Sequence, residues 1–465
     1  MKRIRPWKMK EGFLIGGGLL VAGLLFQMAF GSIDWRLFAA PVNYIALAVL
    51  LAVICTMFLL RRKVYVFAWM MHYTAAVPCL CYAAGLTIVM GLTAQTRHGG
   101  IPWLSQMLQF WPFVLIWTWM MVISGLATLN HLLRWKWREI PFIVNHLGVF
   151  VAVVAATLGS ADRQTLQMTA FKGTPEWRAG LSVELHQFYV DYYETGMPRR
   201  FASDISVCSK DGECVSGTVE VNRPLRVNGW NIYQYDYDAY RGPDSEYSVF
   251  LLVRDPWLPA VYAGIFLMLA GALSLIFLRH APKRKWVLLA ALLLTGFFTF
   301  LTVTRMGPSA KTLPPALQSP WFIPHLIVYM AGYALLATAT LLAICQLFKK
   351  RPAKPGLTDA TGPGMILIDN LVYVGLAFLT IGMLFGALWA KEAWGNYWSW
   401  DPKETWAAIT WLCYLLYIHF RNGRPQEMRK ACWILILAFV CLQVCWWGIN
   451  YLPSAQGLSI HTYTE

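Results

Sequence analysis

Apolar residues gather in eleven long runs, at about 12–31, 42–60, 66–93, 108–132, 140–160, 257–278, 286–304, 324–347, 366–389, 406–420 and 431–450. Short polar segments separate them, and a helix of about 20 apolar residues spans the roughly 30 Å hydrocarbon layer of a bilayer. One long polar stretch, 161–256, breaks the series. Within it Leu181–Leu185, Trp230–Asp236 and Tyr247–Val253 alternate apolar and polar positions between Gly, Pro and Asp-Gly turns. That period of two predicts strands of a small sandwich or barrel. The pattern therefore predicts a polytopic all-α membrane protein of about 11 transmembrane helices with one β-rich domain set between the fifth and the sixth.

Composition agrees with a membrane chain: 57% of the 465 residues are hydrophobic and 14% charged, with a mean hydropathy of +0.47. The net charge of +15 sits in the loops of one side. With the N-terminus in the cytoplasm, every cytoplasmic segment carries three to five basic residues, among them Arg61–Lys63, Arg134, Lys136, Arg138, Arg279 and Lys283–Lys285. The short outer loops hold only scattered ones such as Arg36, Arg97 and Arg305. This asymmetry predicts an N-in/C-out topology. It accounts for the charge by topology and anionic lipid headgroups, so membrane lipid is an expected partner and nucleic acid is not. The first run follows five basic residues, but no small-residue cleavage site follows it, so it reads as a retained helix.

Ten cysteines are present and none forms Cys-x-x-Cys. Cys208 and Cys214 flank Lys210-Asp211-Gly212 in the polar insert. If Gly212 takes the left-handed position of a hairpin loop, the two thiols face each other across the ladder. A disulfide and two separate thiols fit this spacing equally.

The densest chemistry runs from Trp394 to Trp406, Trp-Gly-Asn-Tyr-Trp-Ser-Trp-Asp-Pro-Lys-Glu-Thr-Trp, with five aromatic rings in thirteen residues. An interfacial aromatic belt also gathers Trp and Tyr. A belt has no need of a glycine or of an Asp-Pro-Lys-Glu turn among its rings, whereas a shelf for a flat amphipathic ligand has use for both. Four histidines stand out by position. His325 lies where an outer loop enters a helix, and His461 in the outer C-terminal tail. His146 and His419 lie near the cytoplasmic ends of their helices at similar depth, where a polar side chain is a functional candidate by default. His72, in another helix at comparable depth, competes with His146. His98, His131, His186 and His280 fall in loops or the insert and receive no role.

The Trp394–Trp406 run resembles the tryptophan-rich "WWD" signature of the heme-handling proteins of cytochrome c maturation. Phe142–Gly148, Leu185–Tyr189, Arg200–Asp204, Val221–Leu225 and Asp255-Pro256 resemble the ResB/CcsB component of system II cytochrome c biogenesis. The chain from about 315 onward resembles its partner, CcsA/ResC. The implied organisation is two extra N-terminal helices (1–65), ResB/CcsB-like transmembrane helices (66–160), a periplasmic β-rich domain (161–256), further transmembrane helices (257–305) and a CcsA-like heme-handling domain (306–465).

Several expectations follow from this resemblance to fused CcsB-CcsA cytochrome c synthases. The activity is that of a holocytochrome c synthase, a heme lyase. Heme b moves from a membrane site to a periplasmic site, and its vinyl groups are joined through thioether bonds to the Cys-x-x-Cys-His thiols of an apocytochrome c. His325 and His461 are the implied outer iron ligands; His-Thr-Tyr at 461–463 resembles the family's His-Ser-Tyr, although a tail histidine alone reads as a mobile residue. His146 and His419 are the implied inner ligands. Trp394, Gly395, Tyr397, Trp398, Trp400, Asp401, Pro402, Lys403 and Trp406 are the implied heme-binding residues, with Trp398, Trp400 and Asp401 acting at the reaction centre beside the outer histidines. Thioredoxin-like proteins that keep the acceptor thiols reduced are implied partners, and the implied location is the bacterial inner membrane with the active site facing the periplasm. The alternative is a heme exporter or chaperone delivering heme to a separate ligase.

Overall fold

The computed structural model describes residues 7–95, 101, 103–210, 212–278, 296, 313–349 and 362–455. Its helices are α1 (Met9–Phe30), α2 (Val42–Leu60), the short α3 (Tyr65–Trp69), α4 (Tyr73–Leu92), α5 (Trp111–Leu132), α6 (Ile140–Gly159), α7 (Leu258–Leu278), α8 (Phe322–Phe348), α9 (Pro363–Trp394), α10 (Pro402–Gly423) and α11 (Met428–Trp446). Nine helices among the described residues are long and apolar enough to cross a membrane, so the chain is a multi-pass membrane protein with a β-rich domain. The run at 286–304, apart from residue 296, and His461 lie outside the described residues.

The run at 406–420 forms α10, which is too polar to stand in lipid but does not have to. It packs between α4 and α11 and buries Tyr414 and Tyr417 completely. Charged and phenolic groups near its end are paired inside the protein: Tyr417 donates to Asp369 Oδ1 (2.8 Å) and Arg421 Nε to the same carboxylate (3.2 Å). Internal pairing removes the cost of holding such groups away from water. The run at 66–93 is not one helix. It breaks at Met70–His72, where His72 takes an extended backbone and caps α4.

Between α6 and α7 stand eight strands: β1 (Gln164–Phe171), β2 (Pro175–Arg178), β3 (Leu181–Tyr192), β4 (Pro198–Ser209), β5 (Cys214–Glu220), β6 (Leu225–Val227), β7 (Trp230–Tyr237) and β8 (Tyr247–Arg254). They form two antiparallel sheets, ordered β1-β8-β7-β6 and β2-β3-β4-β5. The inner faces of both sheets supply one apolar core, including Val183, Leu185, Ile205, Val207, Ile232, Phe250 and Leu252. Residues of one face alternate with outward polar ones, as the sequence pattern requires. Gly212 adopts φ +85° and Cys208 pairs with Cys214 in the ladder, closing a disulfide with Cα atoms 4.1 Å apart.

The sandwich is rooted on a two-stranded stalk, because β1 leaves α6 and β8 enters α7 while Gln164 pairs with Arg254. Below it, α6 and α7 pack with their backbones close. A Cβ on Gly264 would lie 2.5 Å from Ala152 N, and one on Gly148 2.7 Å from Met268 N. Small residues permit such an approach between membrane helices.

Candidate functional site

The end of α9 and the seven residues that follow it build the aromatic site. The helix extends to Trp394, further than the apolar run alone indicates, and stops at Gly395 in a left-handed conformation, φ +72°, that a glycine adopts without strain. The sheet domain fills the space beside this glycine. A Cβ there would meet the Tyr233 ring at 2.9 Å, so the close approach Gly395 allows is that of β7. α10 begins at Pro402, with Asp401 as its cap: Asp401 Oδ1 accepts from Glu404 N (2.7 Å) and Glu404 Oε2 from Asp401 N (3.3 Å). This reciprocal capping box fixes the loop exit. Glu404 Oε2 also accepts from Ser399 N (2.7 Å), so that carboxylate faces the loop backbone. Trp406 lies inside α10 and donates to Gly91 O (3.3 Å).

The loop proper is thus Gly395–Asp401. Trp400 holds φ +58°, a left-handed conformation that costs a bulky residue about 1–3 kcal/mol and survives only where its surroundings impose it. Those surroundings are identifiable. Trp400 meets Trp398, Trp117 and Phe113 edge to face at centroid distances of 5.7, 5.9 and 6.3 Å, and its carbonyl accepts from Thr405 Oγ1 (3.0 Å). Tyr397 packs against the cluster of Trp257, Leu384 and Leu388, and burial raises its phenol pKa. Trp398 Nε1 is buried with no acceptor among the described residues.

Sequence reasoning missed the residues that dock this loop. Arg163, one residue before β1, donates from Nη1 to Asn396 Oδ1 (2.7 Å) and from Nη2 to Gly395 O (3.2 Å). Lys391, 3% exposed, donates to the same carbonyl (3.1 Å). The neighbouring Asp162 faces other elements, accepting from Ala40 N (2.7 Å), Asn43 Nδ2 (2.7 Å) and Trp257 Nε1 (2.8 Å). Its burial raises its pKa, yet these three donors outweigh that and hold it below the ordinary value.

His325 stands in the first turn of α8, its Nδ1 2.8 Å from Gly382 O. Donation to that carbonyl puts the lone pair of the neutral ring on Nε2. Its ring packs at 5.8 Å on Trp389, which in turn meets Trp394 at 5.2 Å. His325 therefore connects to the Trp394 end of the loop, whereas Trp400 faces α5.

At the other end of the helices, His146 and His419 come together with ring centroids 6.1 Å apart. Each Nδ1 lies 2.8 Å from a carbonyl one turn earlier, Phe142 O and Leu415 O respectively, which leaves both lone pairs on Nε2. With metal–nitrogen bonds of about 2 Å, two imidazoles on opposite sides of one ion have centroids about 6 Å apart. His72 has its ring on the adjacent Tyr73 and its Nδ1 by Thr74 Oγ1 (3.2 Å). His131 is in the last turn of α5, not a loop; it faces Glu139 Oε2 at 3.0 Å and stacks near Phe142, which covers His146. His146 lies thirteen residues before the end of α6, about 20 Å along its axis from the sheet end.

Residues 257–455 match the model of the cytochrome C assembly protein family and residues 134–245 that of the ResB-like family. Among curated proteins, the chain is similar to the cytochrome c biogenesis protein CcsA of Chlamydomonas reinhardtii (39% identical, 37% of this chain, 48% of that one). It is also similar to those of Mesostigma viride (37% identical, 37% of this chain, 64% of that one) and Welwitschia mirabilis (35% identical, 39% of this chain, 68% of that one). The matches thus span about half to two thirds of the length of these relatives.

Proposed function

Because this chain belongs to the CcsA family of cytochrome c biogenesis proteins and carries a ResB-like segment in the same polypeptide, we propose that it is a cytochrome c synthase. In this reading heme b is collected between His146 and His419 and passed to an outer site formed by His325, His461 and the Gly395–Asp401 loop. There its vinyl groups are joined to the two thiols of an apocytochrome Cys-x-x-Cys-His segment. Each addition places sulfur on one vinyl carbon and hydrogen on the other, so it is redox-neutral and needs no nucleophile or base from the enzyme. Positioning is the main catalytic contribution.

The observation that carries the reading is the 6.1 Å spacing of His146 and His419, with both rings oriented by their own helices to present Nε2. The outer site has the chemistry its substrate asks for. Trp394, Trp398 and Trp400 offer apolar ring faces, and the orphan Trp398 Nε1 is a buried donor suited to a carboxylate such as a heme propionate. Lys403 is the nearest candidate cation on α10 for the other propionate, Gly395 and Tyr397 set the loop against the sheet domain and α7, and Asp401, Pro402 and Trp406 fix its exit. The sheet domain then faces the periplasm of a bacterial inner membrane, the compartment of the apocytochrome and of the thioredoxin-like reductants. Coexpression of the full chain with an apocytochrome c in cells lacking other maturation proteins tests this: covalent heme on the acceptor is expected, and a purified protein with no Soret band refutes it.

A further inference from the structure

Residues 105–109, before α5, lie beside the tryptophan-rich loop and leave space against it. Two cavities of about 460 and about 450 Å³ lie there, and Gln106 and Gln109 line both. The first is walled by Trp400, Asp401 and Pro402; the second by Asp34, Trp35 and Arg36 of the α1–α2 connection. These walls are fastened. Trp35 Nε1 donates to Leu108 O (3.0 Å), Ile33 N to Gln109 O (2.9 Å), and Gln95 clamps the α4–α5 connection through Leu104 O (2.8 Å) and Met107 N (3.0 Å).

We propose that this cleft receives an extended segment of the acceptor polypeptide, an inference that rests on the synthase reading and gives the first two helices a role in it. The side chains of Gln106 and Gln109 each offer a donor and an acceptor, the complement of a peptide backbone. Trp400 and Pro402 supply an apolar wall for its side chains. No histidine is among the described residues that line the cleft, so it lacks the axial ligand a porphyrin face takes. The cleft adjoins the Trp400 end of the loop, while His325 adjoins the Trp394 end. An acceptor lying in it therefore approaches, edge-on, a heme held from the His325 side.

The test uses the heme-loaded full chain in detergent and a fluorescein-labelled peptide with Ser-x-x-Ser-His in place of Cys-x-x-Cys-His. Binding is read by anisotropy, heme by the Soret band, and thioether formation with the cysteine peptide. Gln106→Trp and Gln109→Trp fill the cleft and are expected to weaken peptide binding about tenfold with heme content unchanged. Gln106→Ala and Gln109→Ala, which crowd nothing, lose binding in the same direction and to a smaller extent, and Lys172→Ala on the sheet domain leaves it unchanged. Equal binding by the unmodified chain and all four cleft variants overturns the proposal, as does loss of heme in parallel with peptide. If the unmodified chain attaches heme while cleft variants bind and react normally, the cleft assignment alone fails. Cleft-dependent binding without any attachment leaves the peptide site standing and sinks the synthase reading.

Discussion

Replacing Arg163 with Met isolates the tie between the sheet domain and the tryptophan-rich loop. Its guanidinium makes two hydrogen bonds, at 2.7 Å to Asn396 Oδ1 and 3.2 Å to Gly395 O. Bonds from a charged donor are worth about 1.5–3 kcal/mol each, and the longer one belongs at the lower end, for a total of about 4 kcal/mol. Against this stands Arg163 Nε, buried with no acceptor among the described residues, whose desolvation penalty of about 2 kcal/mol disappears in the variant. Gly395 O keeps Lys391 as donor, so only Asn396 loses its partner outright. The net loss is about 2 kcal/mol, which raises the undocked fraction of the loop about 30-fold. Chymotrypsin reads that population directly, because cleavage follows the open fraction when reclosing is fast. Cuts after Tyr397, Trp398 and Trp400, mapped by mass spectrometry, are expected to appear about 30 times faster in Arg163→Met, with heme loosened in parallel. Arg163→Lys keeps the charge without the two-pronged geometry and falls between. Loop cleavage at the unmodified rate in Arg163→Met refutes the reasoning.

The inner pair makes a sharp comparison: His146→Ala or His419→Ala lowers heme in the purified protein several-fold, while His72→Ala leaves it within error, and the reverse order in the Soret band transfers the role to His72. At the outer site, His325→Gly and His461→Gly cut thioether formation and free imidazole restores part of it, whereas Trp398→Ala and Trp400→Ala lower heme retention without rescue; equal rescue in all four argues against ligation. Asp162 has a folded-state pKa below its ordinary 3.8, so its contribution to stability is present above pH 3.8 and is lost as pH falls through the folded value. Thermal unfolding of Asp162→Asn should accordingly differ from the unmodified chain at pH 7 and approach it in acid, and a gap that does not narrow as pH falls below 3.8 counts against the assignment.

Much of this architecture was legible because it follows local periodicities. The strands at Leu181, Trp230 and Tyr247 came from alternation, the spans from apolar length, and the loop exit from Asp401-Pro402 beside Glu404. The break at Met70–His72 was hidden because the residues on both sides are equally apolar, and a backbone interruption inside the protein leaves no polar mark. The left-handed Trp400 gave no signal, since its conformation is imposed by Trp117, Phe113 and Trp398. Arg163 could not be found at all by pattern: its partner Asn396 lies 233 residues away. The 6.1 Å approach of His146 to His419 is likewise a product of helix packing; similar depth put them on one level together with His72, and the resemblance chose the pair.

Asp162 and Arg163 are consecutive, yet one fastens the α1–α2 connection and α7 while the other fastens the loop. This sets the boundaries at which the sheet domain can be transplanted. A graft that begins at Gln164 and ends at Arg254, the first pair of the stalk, leaves both ties with the host and should preserve the loop whatever sandwich it carries. One that begins two residues earlier removes Asp162 and Arg163 together. A chimera cut there is expected to fold its β-sandwich and still lose the aromatic site, and a single residue inserted between the two turns either the carboxylate or the guanidinium away from its partners.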